Sequence, residues 1–530
     1  MMNNNKFSFN VAIAFTLNYI IGTGFLTLPW SFNEAGWLLG SITLLLMTIF
    51  SIFAANMIVE TISRADLTFK LLHGSTSQDE LCTQQDIQTI EWNGYQSIKK
   101  KNIYFNNNNN NNILLNDDKV KQQQHNNDNN NKTINFNIGI DGSYDEYDEH
   151  VDDIDEDERN KIIGTKLSMV GDKKFEIPEL CEMFLGIRGR DSYMLSIVLY
   201  LYGTLWAYST VFSTALSSYI PFNNSYLWYL FLFSFFVIPI SLMDLTEQIY
   251  VQVTLSLCRV LMLILMIWTI LDAEIYQYNP FSNFNHNDTN NNETLMIHFS
   301  KLHVLLPIAA FANIFHHAIP GLAQPIMDKS LVSKVFTNTL IICYISYAFL
   351  GCIISRYFGN TTCVSANLNW KYYIGINENP TIMIKFISSF IVLFPAIDVS
   401  SAFPLNAVTL GDSLMSFFYG PKIHEIENIK PVKILFRLFA AVPPIVAASM
   451  NLHLGTITDF TGLFGFIIAF IFPSLLAYSS EKFLKQKNFN SLTYYSSWMT
   501  RKEIQLLTLG FGIILVIYVI SSFIIFGPPK

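Results

Sequence analysis

The chain has 530 residues, of which 51% are hydrophobic, 15% are aromatic and only 14% are charged. A typical soluble domain carries roughly 25% charged residues, so this composition excludes an ordinary soluble protein and indicates a polytopic membrane protein in a lipid bilayer. The formal net charge of -8 argues against nucleic acid as a partner, because binding to a phosphate backbone requires a basic surface.

Eleven apolar runs are long enough to cross a bilayer, and they predict an all-α membrane protein because their hydrophobicity is continuous rather than alternating. The predicted spans are 10–31, 37–60, 191–219, 226–243, 249–271, 302–325, 336–355, 381–410, 434–451, 456–479 and 504–526. Six cysteines are scattered without a CxxC pair, and no His/Cys cluster has metal-ligand spacing. We therefore expect no metal centre and no cofactor.

The first run contains poor helix formers at Gly22, Thr23 and Gly24. Each glycine within a helix costs about 1 kcal/mol relative to alanine. Pro29 also lacks an N–H group, so the carbonyl of Phe25 loses its normal partner. Two interpretations stay open. The glycines could allow close packing between helices, or the segment could unwind and present free N–H groups near Phe25 to a substrate carboxylate.

Residues 61–174 interrupt the spans with asparagine tracts and an acidic run, and they predict a disordered cytosolic loop. The next segment, FEIPELCEMFLGIRGR (175–190), predicts a short amphipathic helix that leads into span 3. Its apolar residues facing the bundle would be Phe175, Leu180, Met183 and Phe184. The predicted organisation places spans 1 and 2 in residues 1–60, the loop in 61–174, and the amphipathic segment with spans 3 to 11 in 175–530.

Two independent signals predict a cytosolic N-terminus and an extracellular or lumenal C-terminus. Short loops rich in lysine and arginine follow spans 6, 8 and 10, which places these loops in the cytosol. The N-glycosylation acceptors in the loops after spans 3, 5 and 7 lie on the outer side of the same topology, at Asn223, Asn287, Asn292 and Asn360. Asn131 lies in the predicted cytosolic loop and should stay unmodified. The plasma membrane and the endolysosome both stay open as locations.

Two histidines stand out in span 6, because ionisable residues inside a span usually face the bundle interior or a cavity. His316 and His317 come just before the helix breakers Pro320, Gly321 and Pro325, which predict a second broken helix. The histidines could line a substrate site, couple protons, or satisfy the unwound backbone.

Other polar residues mark spans 3, 5 and 8. Tyr202 could reach a ligand from span 3 or could pack between helices. Asp398 lies near the middle of span 8, where a carboxylate must be protonated, paired or part of an ion path. Asp244, Glu247 and Arg259 flank the loop between spans 4 and 5, which indicates ion pairs or gate contacts at the cytosolic edge.

The segment NYIIGTGFLTLPWSFNEAGW (18–37) resembles the first-helix signature of the amino acid/auxin permease family, I-G-[TS]-G-x-L-x-[LM]-P-x-[AS]-F-x-x-A-G-W. The stretches YLYGTLWAYS, HHAIPGLAQPI and LFPAIDVSSAFPLNAVTL are similar to one branch of it, the transmembrane protein 104-like proteins. The resemblance covers nearly the whole chain outside 61–174. It implies a LeuT-like fold of two five-helix inverted repeats with broken helices 1 and 6, plus an eleventh helix. In sodium-coupled relatives, helix-1 carbonyls and helix-8 hydroxyls form a cation site, at the location of Ser400 and Ser401; the alternative for these serines is back-bonding within the helix.

These observations predict a secondary active transporter of amino acids or similar small zwitterions, working by alternating access and coupled to Na⁺ or H⁺. The alternative is a sensor or scaffold that keeps the permease fold without transporting, and an enzyme is not expected. The predicted substrate-binding residues are Ile21, Gly22, Thr23, Gly24, Phe25, Tyr202, Asn313, His316 and His317. The predicted ion-coupling residues are Asp398, Ser400 and Ser401.

Overall fold

Helices make up nearly all of the regular structure, because a segment in lipid must satisfy its backbone hydrogen bonds internally. A computed structural model of the chain describes residues 7–22, 24–73, 168–171, 173–243, 249–281, 296–376, 380–419, 429–487 and 489–526. The α-helices of these residues are α1 (Phe9–Ile20), α2 (Gly24–Ala35), α3 (Trp37–His73), α4 (Ile177–Tyr219), α5 (Ser225–Leu242), α6 (Ile249–Ile275), α7 (Leu302–Asn313), α8 (Ile319–Ala323), α9 (Val332–Phe358), α10 (Ile382–Tyr419), α11 (Lys430–Ala448), α12 (Leu454–Phe466), α13 (Phe472–Gln486) and α14 (Lys502–Phe526).

Ten helical runs in the described residues are long and apolar enough to cross a membrane. The bent pair of α1 and α2 gives an eleventh span if the two helices are counted as one. The prediction of an all-α, multi-pass membrane protein is therefore confirmed. Short 3₁₀ turns extend several of these spans, including Phe299–Lys301 before α7 and Gly359–Thr361 after α9.

Three helical segments differ from their predicted lengths. α3 continues past residue 60 to His73, so the predicted loop of 61–174 cannot begin before residue 74. Residues 74–167 and 172 lie outside the described residues, and so does the prediction of a loop there. α10 extends to Tyr419, beyond the predicted end at 410. Span 10 is not one continuous α-helix, because a π-helical turn, Ile467–Ile471, joins α12 to α13.

Proline chemistry accounts for that π turn. Pro473 lies in the first turn of α13 and cannot donate a backbone hydrogen bond to the preceding turn. A wider turn next to a proline is one of the ordinary ways in which a helix absorbs such a loss. The side chains of Ile468, Ala469 and Phe470 in this turn are buried, so the bulge lies inside the bundle.

The amphipathic segment before span 3 is helical and is joined to that span at a kink. Gly186 has a φ of 76°, which is left-handed and non-helical, so the chain changes direction there inside α4. Phe175 and Leu180 are buried, and Met183 and Phe184 pack against the core as half-buried side chains. The glycine therefore sets the direction of the amphipathic part without ending the helix.

The first helix pair lies at the centre of the bundle. α2 packs against α7, α9 and α3, and most of its side chains are buried on every face. α7 in turn packs against α12, and α4 packs against α10, α11 and α12. A helix that is hydrophobic all round belongs in the interior of a membrane bundle, and this burial places the two ends of α2 away from lipid.

Residue 7 is paired with the chain just after α8. Phe7 and Ile326 form a parallel β-bridge. The N–H group of Phe7 donates to the carbonyl of Pro325 at 2.7 Å, and the N–H group of Met327 donates to the carbonyl of Phe7 at 3.0 Å. We call residue 7 together with residues 325–327 the N-terminal latch.

Candidate functional site

The first helix is broken at the predicted position. α1 ends at Ile20 and α2 begins at Gly24, and the two helix axes differ in direction by 62°. The N–H group of Gly22 donates to the carbonyl of Ile20 at 2.8 Å, which tightens the end of α1 into a sharp turn. Thr23 lies outside the described residues. The first N–H groups of α2 have no partner within that helix, because every α-helix begins with four such groups.

The sixth span is also broken, but not where its prolines suggested. α7 ends at Asn313, Ile314 is extended with φ -80° and ψ 121°, and a 3₁₀ turn over His316–Ala318 leads into α8. The predicted break at Pro320, Gly321 and Pro325 is therefore corrected to Ile314 and Phe315. Pro320 lies in the first turn of α8, where a missing N–H group costs nothing.

One side-chain hydrogen bond connects the two breaks. The hydroxyl of Tyr19, at the end of α1, lies 3.0 Å from Nε2 of His317 in the second break. The ring of Tyr200 on α4 packs against the same imidazole, with centroids 5.6 Å apart. The Nδ1 atom of His317 is buried and has no partner among the described residues. These residues form a polar aromatic cluster where the two interrupted helices meet.

The adjacent histidine points elsewhere. His316 is 1% exposed, and its Nε2 lies 3.2 Å from the carbonyl of Ser51 on α3. Its ring also packs against Phe315 and Phe470. The structure therefore brings His317, and not His316, to the first break. His316 instead bonds to a carbonyl inside the continuous helix α3, and not to the unwound backbone that one of the alternatives named.

Tyr202, the tyrosine of α4 that was predicted to reach a ligand, faces away from the site. The hydroxyl of Tyr202 donates to the carbonyl of Phe439 on α11 at 2.7 Å. Residues two apart on a helix point in nearly opposite directions, so only one of Tyr200 and Tyr202 can face the breaks. Tyr19 and Tyr200 were not on the predicted list. A tyrosine just before a glycine-rich break was the available signal for Tyr19.

Asn313 is the last residue of α7, and only one end of its side-chain amide makes a hydrogen bond. Its Nδ2 donates to the carbonyl of Ala309 at 2.9 Å, and the residue is 1% exposed. Its Oδ1 is buried and has no partner among the described residues. A buried polar atom of this kind is expected to find a partner, so this oxygen is an available acceptor beside the second break.

The two glycines of the first break do different things. A Cβ atom on Gly24 would lie 2.8 Å from the Cα of Ala312, so this glycine lets α2 approach the backbone of α7. A Cβ atom on Gly22 would meet only the hydroxyl of Tyr208, at 3.8 Å. Close packing between helices therefore applies to Gly24, and substrate binding at the break stays a prediction. The side chains of Ile21 and Phe25 are buried in the core, so only their backbone groups are available to a ligand.

A buried ion pair lies beside the first break. The guanidinium of Arg259 on α6 donates from Nη2 to both carboxylate oxygens of Asp398 on α10, at 2.6 and 2.8 Å, and from Nε at 3.1 Å. Its Nη1 donates to the backbone carbonyl and the side-chain oxygen of Asn18, both at 2.9 Å. Gly22 and this ion pair border the same narrow gap between the helices.

This arrangement changes the predicted roles around span 8. Asp398 is paired, which was one of its three alternatives. Arg259 lies well inside α6 and is 4% exposed, so its predicted place at the edge of a loop is wrong. Ser400 donates to the carbonyl of Ala396 and Ser401 to that of Asp398, at 2.7 and 2.9 Å. Both hydroxyls are therefore back-bonded within α10.

The remaining predicted positions lie on the surface or outside the described residues. Asn223 after α4 and Asn360 after α9 are exposed, as a glycosylation acceptor must be. Asn287, Asn292, Asn131, Asp244 and Glu247 lie outside the described residues. Among the side chains that the structure describes, no group of three His, Cys, Asp or Glu residues is placed to hold a metal ion.

Sequence comparison agrees with the predicted resemblance. Residues 5–70 match a family model described as transmembrane amino acid transporter protein. The chain is 23% identical over 509 residues to a transmembrane protein 104 homolog of Dictyostelium discoideum, covering 91% of this chain and 90% of that protein. It is 25% identical over 518 residues to the homolog of Drosophila melanogaster, covering 89% of this chain and 88% of that protein. Human transmembrane protein 104 is 20% identical over 517 residues, covering 90% and 88%.

The resemblance to amino acid transporters and to transmembrane protein 104 is therefore confirmed, and the matched model describes a transport protein and not an enzyme. A solved structure of a Na⁺-coupled sialic acid symporter is also similar, with 15% identity and a TM-score of 0.39. The structural alignment covers 67% of this chain and 78% of the symporter chain.

Proposed function

We propose that this protein is a secondary active transporter of amino acids or similar small zwitterions, working by alternating access. The observation that carries the proposal is the hydrogen bond between Tyr19 and His317, which joins two interrupted membrane helices. Interrupted helices in a membrane bundle persist only where protein or a cavity satisfies the free backbone groups, and substrates bind at such breaks in transporters.

The helix ends at the two breaks have opposite polarity. α2 begins at Gly24 with free N–H groups and a partial positive charge, which suits a carboxylate. α7 ends at Asn313, and the carbonyls of its last turn carry a partial negative charge, which suits an ammonium group. The unpartnered Oδ1 of Asn313 would accept from the same ammonium group, and Nδ1 of His317 would pair with a further polar atom of the substrate.

For the driving ion, we propose H⁺ in preference to Na⁺. The predicted cation position lies between α1 and α10, and the guanidinium of Arg259 already donates to the Asn18 carbonyl of α1 and to Asp398 of α10. A second cation there would meet the positive charge of Arg259, and the hydroxyls of Ser400 and Ser401 already donate elsewhere. Asp398 would then contribute to the coupling of transport to H⁺ indirectly, through its ion pair with Arg259.

We propose the LeuT-like arrangement of two five-helix inverted repeats with an additional eleventh helix. In its support, the two breaks fall in the first and sixth spans, which are five spans apart. A cytosolic N-terminus and an outer C-terminus complete the proposed topology, on the evidence of the basic loops and the glycosylation acceptors.

Transport into proteoliposomes tests the function. The purified protein is reconstituted, and a panel of labelled amino acids is offered with and without Na⁺ and pH gradients. We expect accumulation of at least one of them under a pH gradient, and no accumulation of its carboxyl-blocked analogue. Uptake of the blocked analogue as fast as the parent would contradict the carboxylate site. Binding without accumulation under any gradient would instead indicate a sensor.

A further inference from the structure

Asp459 is a second acidic residue inside a membrane span, and its surroundings differ from those of Asp398. It lies in the middle of α12 and is 0% exposed. Neither of its carboxylate oxygens has a hydrogen-bond partner in the part of the chain that the structure describes. Asp398 is held by a guanidinium, whereas Asp459 has no such counter-charge among the described residues.

The position of Asp459 on α12 places it next to the two broken helices. Gly455, Asp459 and Gly462 are four and three residues apart and share one face of the helix. A Cβ atom on Gly455 would lie 2.9 Å from the Trp30 ring of α2, and one on Gly462 would lie 2.2 Å from the Pro307 carbonyl of α7. Asp459 therefore faces the region between α2 and α7, whose inner ends form the candidate site.

The titratable groups of the neighbouring helices are engaged elsewhere. On α2, Glu34 pairs with Lys301 at 3.0 Å. On α7, Nδ1 of His303 lies 2.8 Å from the carbonyl of Ser300. Before α12, the ring of His453 packs on Trp30. The other helices packed against α12 are α4 and α14. Their titratable groups are Glu179, Cys181, Glu182, Arg188, Arg190, Asp191, Tyr193, Tyr200, Tyr202, Tyr208 and Tyr219 of α4, and Lys502, Glu503 and Tyr518 of α14.

An unpaired carboxylate in a dry, low-dielectric site is very unfavourable, and the neutral acid is the form that such a site accepts. A change of access that brings water to Asp459 would reverse that preference, because hydration stabilises the carboxylate. Movement of α2 and α7 is the change that alternating access requires at this position.

We propose that Asp459 is a proton-binding site that couples transport to H⁺, an inference that rests on the proposed function. In the closed state, Asp459 carries a proton as a carboxylic acid. When α2 and α7 separate on one side, the O–H bond breaks and the proton passes to water, leaving the carboxylate. The carboxylate takes a proton from water on the opposite side, so one proton crosses in each cycle.

Two measurements on reconstituted protein test this proposal, using Asp459→Asn and the exposed control Glu503→Gln. The first is infrared spectroscopy at neutral pH in H₂O and D₂O, without any substrate. We expect the wild type and the control to share an isotope-sensitive carbonyl band of a protonated carboxylic acid that Asp459→Asn lacks. The same band in all three proteins would overturn the proposal, whether or not the protein transports amino acids.

The second measurement offers labelled leucine, glutamine, arginine and glutamate separately to proteoliposomes. Counterflow against the same unlabelled amino acid requires binding and alternating access, whereas net accumulation under a pH gradient also requires the proton. We expect Asp459→Asn to retain counterflow and to lose accumulation, falling to the level without a gradient, while Glu503→Gln retains both. Accumulation by Asp459→Asn at the wild-type level would overturn the coupling role. Absence of counterflow in the wild type would refute the proposed function alone, and the infrared result would then decide whether Asp459 holds a proton.

Discussion

The guanidinium of Arg259 binds both carboxylate oxygens of Asp398, and the pair is almost completely buried between α6 and α10. Because the same guanidinium also donates twice to Asn18, this ion pair connects three helices at the end of the first half-helix. Removing either partner would leave the other as an uncompensated charge inside the bundle.

We expect Asp398→Asn to lower the stability of the folded protein by about 3 to 5 kcal/mol, the range for breaking a buried ion pair from one side. The double variant Arg259→Gln with Asp398→Asn should recover part of that loss, since no unpaired charge remains. Thermal unfolding in detergent, followed by tryptophan fluorescence, measures both effects.

The pair of Arg190 and Glu182 is the matched control, because its side chains are 20% and 26% exposed and its contact distance is 2.8 Å. Glu182→Gln should change stability by about 0 to 1 kcal/mol, since solvent screens a partly exposed pair. Strictly additive losses for Arg259→Gln and Asp398→Asn would show that the two side chains are not coupled.

Substitution by alanine should lower the stability of the protein at one glycine of the first break and leave it unchanged at the other. Gly24→Ala places a methyl group 2.8 Å from the Cα of Ala312, and overpacking of this kind costs about 1 to 3 kcal/mol. Gly22→Ala meets no atom closer than 3.8 Å, so the melting temperature should stay at the wild-type value while uptake falls. Equal melting temperatures for the two variants would refute the close approach of α2 and α7.

The connection between the breaks can be tested by removing one hydroxyl. Tyr19→Phe removes the contact with Nε2 of His317, and one hydrogen bond contributes about 0.5 to 1.5 kcal/mol to stability. We expect a small change in melting temperature and a much larger decrease in amino acid uptake, because the two breaks lose their direct link. Tyr229→Phe is the control, since its hydroxyl also makes one exposed hydrogen bond, to the carbonyl of Ile220, and that bond involves neither break. If both variants reduced uptake equally, Tyr19 would not be part of the substrate site.

The topology predicts which asparagines carry glycans. Asn223→Gln should increase gel mobility, because Asn223 is exposed in the short loop between α4 and α5. Asn360→Gln and the double change of Asn287 and Asn292 should do the same in the loops after spans 7 and 5. Asn131→Gln should leave mobility unchanged. A mobility shift for Asn131→Gln alone would invert the proposed orientation.

The first break was predictable because its cause is local. Gly22, Thr23 and Gly24 are adjacent residues with poor helix propensity, and their effect does not depend on distant parts of the chain. The second break was misplaced because its signal was read from prolines. Pro320 is tolerated at the start of a helix, and the interruption lies at Ile314 and Phe315, whose types carry no such signal.

The partners of ionisable groups could not be read from the sequence. Arg259 and Asp398 are 139 residues apart, and only the packing of α6 against α10 brings them together. Asp459 carried the same sequence signal as Asp398, a carboxylate within an apolar run, and it could have been found by that criterion. Its lack of a partner among the described residues is a property of the packing alone.

The N-terminal latch consists of main-chain donors and acceptors at residues 7, 325 and 327. The buried side chain of Ile326 and the contact between the rings of Phe7 and Phe15 add packing to these bonds. Proline at Phe7 or Met327 would remove a donor. The two backbone hydrogen bonds contribute a net of about 1 kcal/mol each, and the burial of Ile326 adds to them. The latch thus ties the segment before α1 to the chain after α8, so the halves of the two broken spans are joined through the main chain.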